Sequence, residues 1–142
     1  MKQFSRITLI LFALFAISLK SCWYSGWAYE QHLTDVYHLV AGDGEDYMCI
    51  LRIDDSKGQL VIIPYTVFSA GYDQNFIIAK QHPREFTTPI DKSVTNYYII
   101  PVKDNPMNRA IGPLTLKQFE EKRKELNVPD SIKFTIEFEK LK

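Results

Sequence analysis

Cysteine is nearly missing from this chain: its 142 residues hold two, Cys22 and Cys49. One bridge at most could form, so no disulfide framework is available and the fold must stand on its packing. Histidine is as sparse. His32, His38 and His82 are scattered, no pair has the i, i+4 or His-Glu-x-x-His spacing of a zinc site, and all three read as solvent-facing or hydrogen-bonded side chains. Charge of either sign is not in excess, with 17 basic against 17 acidic residues. Such a balance gives no basic footprint for nucleic acid. The acidic clusters Asp43-Gly44-Glu45-Asp46 and Asp54-Asp55 lack the alternating ligand spacing of a calcium-binding loop and are explained by turn chemistry. No Gly-x-Ser-x-Gly, P-loop or dinucleotide fingerprint occurs, nor any internal repeat. Nothing in the chain calls for a cofactor or a metal.

What is present begins at the N-terminus. Lys2 and Arg6 precede an apolar run over residues 7–19, relieved only by Thr8 and Ser18. That length suits the h-region of a signal peptide and is short of the roughly 20 residues that span a bilayer as a helix. Leu19-Lys20-Ser21-Cys22 follows. It resembles a lipobox, where bacterial lipoprotein processing attaches diacylglycerol to a cysteine and cleaves before it. Leu19 and Ser21 fit that pattern, whereas Lys20 stands where a small or apolar residue is usual. The expectation is a signal peptide over residues 1–21, lipidation at Cys22, a tether over 22–34 and one domain over 35–142. Two other readings of the segment stay open. A plain secretory signal cut near Ser21 would leave Cys22 free to pair with Cys49, and an uncleaved signal would itself be the anchor. Several acyl chains hold a protein to a bilayer where one alone binds marginally, so lipidation implies a lasting membrane anchor. Residues 23–26 carry no acid, which favours an outer membrane location facing the periplasm over the cell surface. Trp23, Tyr24 and Trp27 would lie beside the lipid, where amphipathic aromatics favour the interface.

Processing changes the charge. Lys2, Arg6 and Lys20 depart with the signal and no acid does, leaving 14 basic and 17 acidic residues, a net of −3. The remaining length is that of a single domain.

The middle of the chain reads as strands over residues 36–41, 47–53, 59–63, 65–69, 76–81 and 94–102, separated by turns rich in Gly, Asp and Asn. Pro64 interrupts this series, and residues 82–92 form a loop. A helix follows: Thr115 is a fitting N-cap, Gln118 completes a capping box, and Leu114 with Phe119 are placed for a hydrophobic staple. It runs to about Leu126, where Asn127 closes it and Pro129 forbids continuation. Ile132, Phe134, Ile136 and Phe138 then alternate with polar residues, predicting a half-buried last strand. The fold class is α+β: an antiparallel meander of about six strands, with one packed C-terminal helix before the last strand.

Three segments carry a resemblance. Gly71-Tyr72-Asp73-Gln74-Asn75-Phe76-Ile77-Ile78-Ala79-Lys80-Gln81, then Asn96-Tyr97-Tyr98-Ile99-Ile100, and the stretch from Gly112-Pro113-Leu114-Thr115 to Pro129-Asp130 resemble a family of small bacterial lipoproteins, the domain of unknown function numbered 3997. The resemblance covers roughly residues 35–132. It implies a small lipoprotein, and it transfers no activity and no functional residue.

The residues themselves offer two functional classes. One is a membrane-tethered binding or structural module of the cell envelope. Its partner would be an envelope protein or a glycan, bound at Tyr72, Asp73, Lys80, His82 and Tyr98, or by strand addition near Pro64 or residues 82–92. Trp27, Tyr65 and Tyr72 together with Tyr97-Tyr98 suggest an aromatic recognition surface, against core packing as the simpler role. Adjacent Tyr97 and Tyr98 must point to opposite faces of a strand, one to the core and one outward. The other class is a small envelope hydrolase, for which Cys49, His38 and Asp46 are the best available residues. Cys49, between Met48 and Ile50, reads first as a buried structural thiol.

Overall fold

The computed structural model describes residues 26–85, 88–103 and 109–142. The signal segment, Cys22, Trp23 and Tyr24 therefore lie outside the described residues. Within them the chain forms two antiparallel sheets and one α-helix. Sheet A holds β1 (Tyr29–Thr34), β2 (Tyr37–Ala41), β3 (Cys49–Asp54) and β4 (Gly58–Ile63), paired in chain order. Sheet B holds β5 (Val67–Tyr72), β6 (Phe76–Gln81), β7 (Asn96–Pro101), β8 (Ile111–Leu114) and β9 (Ile136–Glu137), in the order β8-β7-β6-β5-β9. The helix α1 (Leu116–Glu125) stands between β8 and β9.

Strand alternation explains why two sheets stack. Tyr37, Leu39 and Ala41 from β2, Ile50 from β3 and Ile63 from β4 point one way, and Val67, Ile77, Ala79, Tyr98 and Ile100 answer from sheet B. All are buried, and with Leu33 and Met48 they make one core between the sheets. Burying both inner faces against each other is how two antiparallel sheets remove apolar surface from water. The chain passes between sheets at a corner where the His82 N–H donates to the Thr66 carbonyl at 3.1 Å, and the Thr66 hydroxyl donates to the His82 carbonyl at 2.9 Å.

Sheet B is covered on its second face as well. Phe119 of α1 packs with Ile78, Ile99, Val128 and Ile132 in a second core. The helix begins as the sequence predicts: the Gln118 N–H donates to the Thr115 hydroxyl at 3.3 Å, and the Thr115 N–H to the Gln118 side-chain carbonyl at 2.9 Å. That reciprocal pairing satisfies two backbone donors the first turn would otherwise leave orphaned. Asn127, at φ 55°, closes the helix in the left-handed region that Asn tolerates.

The α+β class, and a helix before the last strand, hold. The arrangement differs from expectation in three places. The strands number nine among the described residues and split between two sheets. Tyr29–Thr34, assigned by the sequence to a tether, is β1 and hydrogen-bonds along β2, so the folded unit starts before residue 35. The alternating tail is a two-residue strand that changes layers. Ile132 and Phe134 pack under α1, whereas Ile136 and Phe138 reach the core between the sheets. The tail crosses sheet B at its edge, where the N–H groups of Thr135 and Phe138 donate to the carbonyls of Ala70 and Phe68.

Candidate functional site

Among the described residues the outer face of sheet A has no covering layer like that over sheet B, and it is not polar. Cross-strand register puts Val40 opposite Cys49 and Leu51 opposite Val61 on this face. Val40, Cys49 and Leu51 form a third apolar cluster, with Trp27, Ile53 and Tyr65 packed against it. Between these residues opens a cleft of about 370 Å³. Cys49 and Leu51 are its floor, and Trp27 with Gly42 and Asp43 is one wall. Tyr47, Tyr65 and the β4 residues Gln59 and Val61 complete the lining.

Local sequence explains how the lining is held. The N–H of Ala28, beside Trp27, donates to the Ala41 carbonyl at 2.8 Å, pinning the incoming chain along the end of β2. Residues Glu45–Tyr47 make a short 3-10 turn, and the Tyr47 ring meets Tyr65 edge-on with centroids 5.6 Å apart. The Arg84 guanidinium lies 5.0 Å from the Tyr47 ring centre and donates to the Asp46 carbonyl at 3.3 Å, placing one cation by an otherwise acidic rim. β4 is an edge strand, and Val61 is 56% exposed there. An isolated exposed valine needs no explanation; one beside an aromatic-lined apolar cleft marks a contiguous patch.

The cleft is suited to holding apolar matter and not to nucleophilic chemistry. Burial pushes the Cys49 thiol up to about 11, so it is protonated at neutral pH, and the thiolate is the nucleophilic form. His38 opposes Leu51 across the strands and is therefore diagonal to Cys49, but its ring turns toward β1. There its Nδ1 lies 3.2 Å from Glu30 Oε1 without hydrogen-bond geometry, and its ring meets His32 edge-on at 4.9 Å. Asp46 belongs to the turn before β3, outside the cleft lining. Cys49, His38 and Asp46 form no relay. No group of three or more His, Cys, Asp or Glu among the described residues is arranged to hold a metal. In the second acidic turn Asp54 accepts from the Ser56 N–H at 2.9 Å, the Ser56 hydroxyl at 2.6 Å and Arg52 at 2.7 Å. Those hydrogen bonds, Ser56 foremost, hold its carboxyl well below the usual range.

The five residues that the sequence marks for binding do not meet. Asp73 caps the β5–β6 turn, accepting from the N–H groups of Asn75 and Phe76 at 2.7 and 2.8 Å, and Tyr72 is exposed beside it. Lys80 lies on the helix-covered face of β6, its ammonium 4.2 Å from the Phe134 ring centre. His82 is buried, stacked on Phe68 at 4.1 Å, with Nδ1–H donating to the Val94 carbonyl at 2.7 Å. Tyr98 is in the core between the sheets, where its hydroxyl donates to Gln81 Oε1 at 3.1 Å. Tyr97, on the opposite face as alternation requires, packs on Phe119 at 5.1 Å instead of facing water. Of the aromatic surface expected from Trp27, Tyr65 and Tyr72, the structure brings the first two into the cleft and leaves the third on sheet B. Tyr47, Leu51, Gln59 and Val61 are the additions. For Gln59 and Val61 the signal was residues 59–63, which are apolar on both faces at four consecutive positions after Gln59, whereas Tyr47 and Leu51 lie outside that run.

The model of a family described as a protein of unknown function (DUF3997) matches residues 34–141. The chain belongs to this family. No curated protein and no solved structure matches it. The match to DUF3997 takes in β2 to β9 and α1, and it leaves Trp27 and most of β1 outside its limits.

Proposed function

We propose that this member of DUF3997 is a lipid-anchored binding module of the cell envelope, held at Cys22 and facing the periplasm, with the outer face of sheet A as its binding surface. The observation that carries this is the cleft itself. An antiparallel sheet with one face on the core ordinarily turns polar residues to water on the other. Here the cleft on that face is floored by Cys49 and Leu51 and edged by the exposed Val61, under aromatic walls. A concave, mostly apolar recess with a few polar groups at its rim is the usual form of a ligand site. Support for the anchor is the lipobox-like Leu19-Lys20-Ser21-Cys22 after an apolar run.

Two measurements on the same protein test the two halves. Fatty-acid labelling is expected to mark the wild type and to vanish in Cys22→Ala; label persisting in that variant contradicts the anchor. For the surface, Val61→Cys is expected to react with a maleimide more slowly in intact envelopes than in purified protein, while Tyr72→Cys reacts equally in both. Equal reactivity of both variants in both settings contradicts the binding surface.

A further inference from the structure

The outer face of sheet A lies close in the chain to the proposed anchor. Cys22 precedes Trp27 by five residues, and five residues fully extended reach at most about 17 Å. Trp27 is a wall of the cleft. The Trp27 wall of the cleft is therefore held within about 17 Å of Cys22 wherever its lipid enters the bilayer. A soluble partner would have to compete for a surface that the tether keeps at the membrane.

The chemistry of the face fits that neighbour. Trp27, Tyr47 and Tyr65 are the side-chain types that favour the lipid–water interface, with apolar bodies and polar tips. The floor of Cys49 and Leu51 and the exposed Val61 offer apolar surface. The rim charges are mixed: Asp43 lines the cleft, Asp46 follows in the neighbouring turn, and Arg84 lies over Tyr47. A face with this balance gains little from anionic headgroups, so apolar burial must supply the affinity.

We infer that the outer face of sheet A docks on the bilayer that holds the anchor, seating Trp27, Tyr65 and Val61 at the lipid–water interface. The inference rests on the anchoring reading of Cys22 given above. Docking fixes the orientation of the whole domain: sheet B and α1 point away from the membrane, and the interface closes the cleft.

The test uses the full-length lipidated protein in phosphatidylcholine vesicles, with Trp23→Phe leaving Trp27 as the tryptophan of the processed chain. Lipids brominated at shallow acyl positions quench a tryptophan seated at the interface. Trp27 emission is expected to be strongly quenched, with little change on adding salt. Val61→Asp, at an exposed position, is expected to reduce the quenching several-fold. Leu60→Asp places the same charge on the other face of β4, at a residue that is 49% exposed, and is expected to leave quenching intact. If the fatty-acid label is present and Trp27 is unquenched, docking is overturned while the anchor stands; a peptide partner or the chain's own residues 23–25 would then be the occupant. If the label is absent, anchor and docking fall together. If Leu60→Asp abolishes quenching as fully as Val61→Asp, the assignment of the face is overturned.

Discussion

The two sheets share an inner core and differ in what lies behind them. Sheet B has α1 and the returning residues 128–134 on its outer face, with Phe119 and Ile132 almost fully buried there. Sheet A has a smaller apolar cluster on its outer face, where Val40, Cys49 and Leu51 are buried under Trp27, Ile53 and Tyr65 among the described residues while Val61 at the edge is 56% exposed. One chain has thus solved the same burial problem internally on one side and left it incomplete on the other. Apolar area costs roughly 25 cal/mol per Å² to leave in water. The open face of sheet A is consequently the place where an outside surface has most to offer.

The largest effect expected from breaking this contrast lies on the closed side. Phe119→Ala should remove about 4 kcal/mol of stability, because Tyr97, Phe134 and the Arg123 guanidinium surround a ring that leaves a void behind. Urea unfolding measures it, and a loss below about 1 kcal/mol would mean that α1 is not docked as described. Gly71→Ala comes next. A Cβ there would sit 1.8 Å from the Lys133 carbonyl oxygen, backbone against backbone, so the returning segment must lift off β5. A loss of about 3 kcal/mol is expected by the same measurement.

On the open side the cost of truncation should be smaller. Leu51→Ala removes a side chain whose outer end borders the cleft, so it forfeits fewer packing neighbours, and about 2 kcal/mol is expected. A value equal to that of Phe119→Ala would contradict the contrast between the faces. The smallest effect is on pH dependence. Burial raises the Cys49 thiol from 9.0 to about 11, so between those values the native state holds a proton that the unfolded chain has released. Stability is unaffected by this group below about pH 9 and falls as pH rises toward 11. Iodoacetamide should accordingly leave Cys49 unmodified in native protein at pH 8 and modify it on unfolding. Rapid native alkylation at pH 8 would show that the thiol is neither buried nor protonated.

Legibility in the sequence followed locality. The capping box of Thr115 and Gln118, the staple pair and the stop at Asn127 are set by neighbours within a few residues, and each appears as expected. Strands β2, β4 and β6 were readable for the same reason. Their partition into two sheets was not, because it depends on contacts such as β5 with β9 between distant parts of the chain. The tail shows how a correct period can mislead: Ile132 to Phe138 does alternate, but the chain crosses from one layer to another midway. For the candidate site, composition singled out Trp27 and Tyr65 and could not place Tyr72, since aromatics fill cores and line clefts alike. Lys80, His82 and Tyr98 looked available because their polar tips suggest recognition, whereas Lys80 lies over the Phe134 ring, Tyr98 is bonded to Gln81, and His82 is buried with Nδ1 on the Val94 carbonyl.

Residue-resolved hydroxyl-radical footprinting compares the faces in one experiment, on purified protein and on intact envelopes. Trp27, Tyr47 and Tyr65 are expected to be oxidised in the purified protein and protected in envelopes, while Tyr97 and Phe119 are protected in both. Equal oxidation of Trp27 and Tyr65 in the two settings would contradict this.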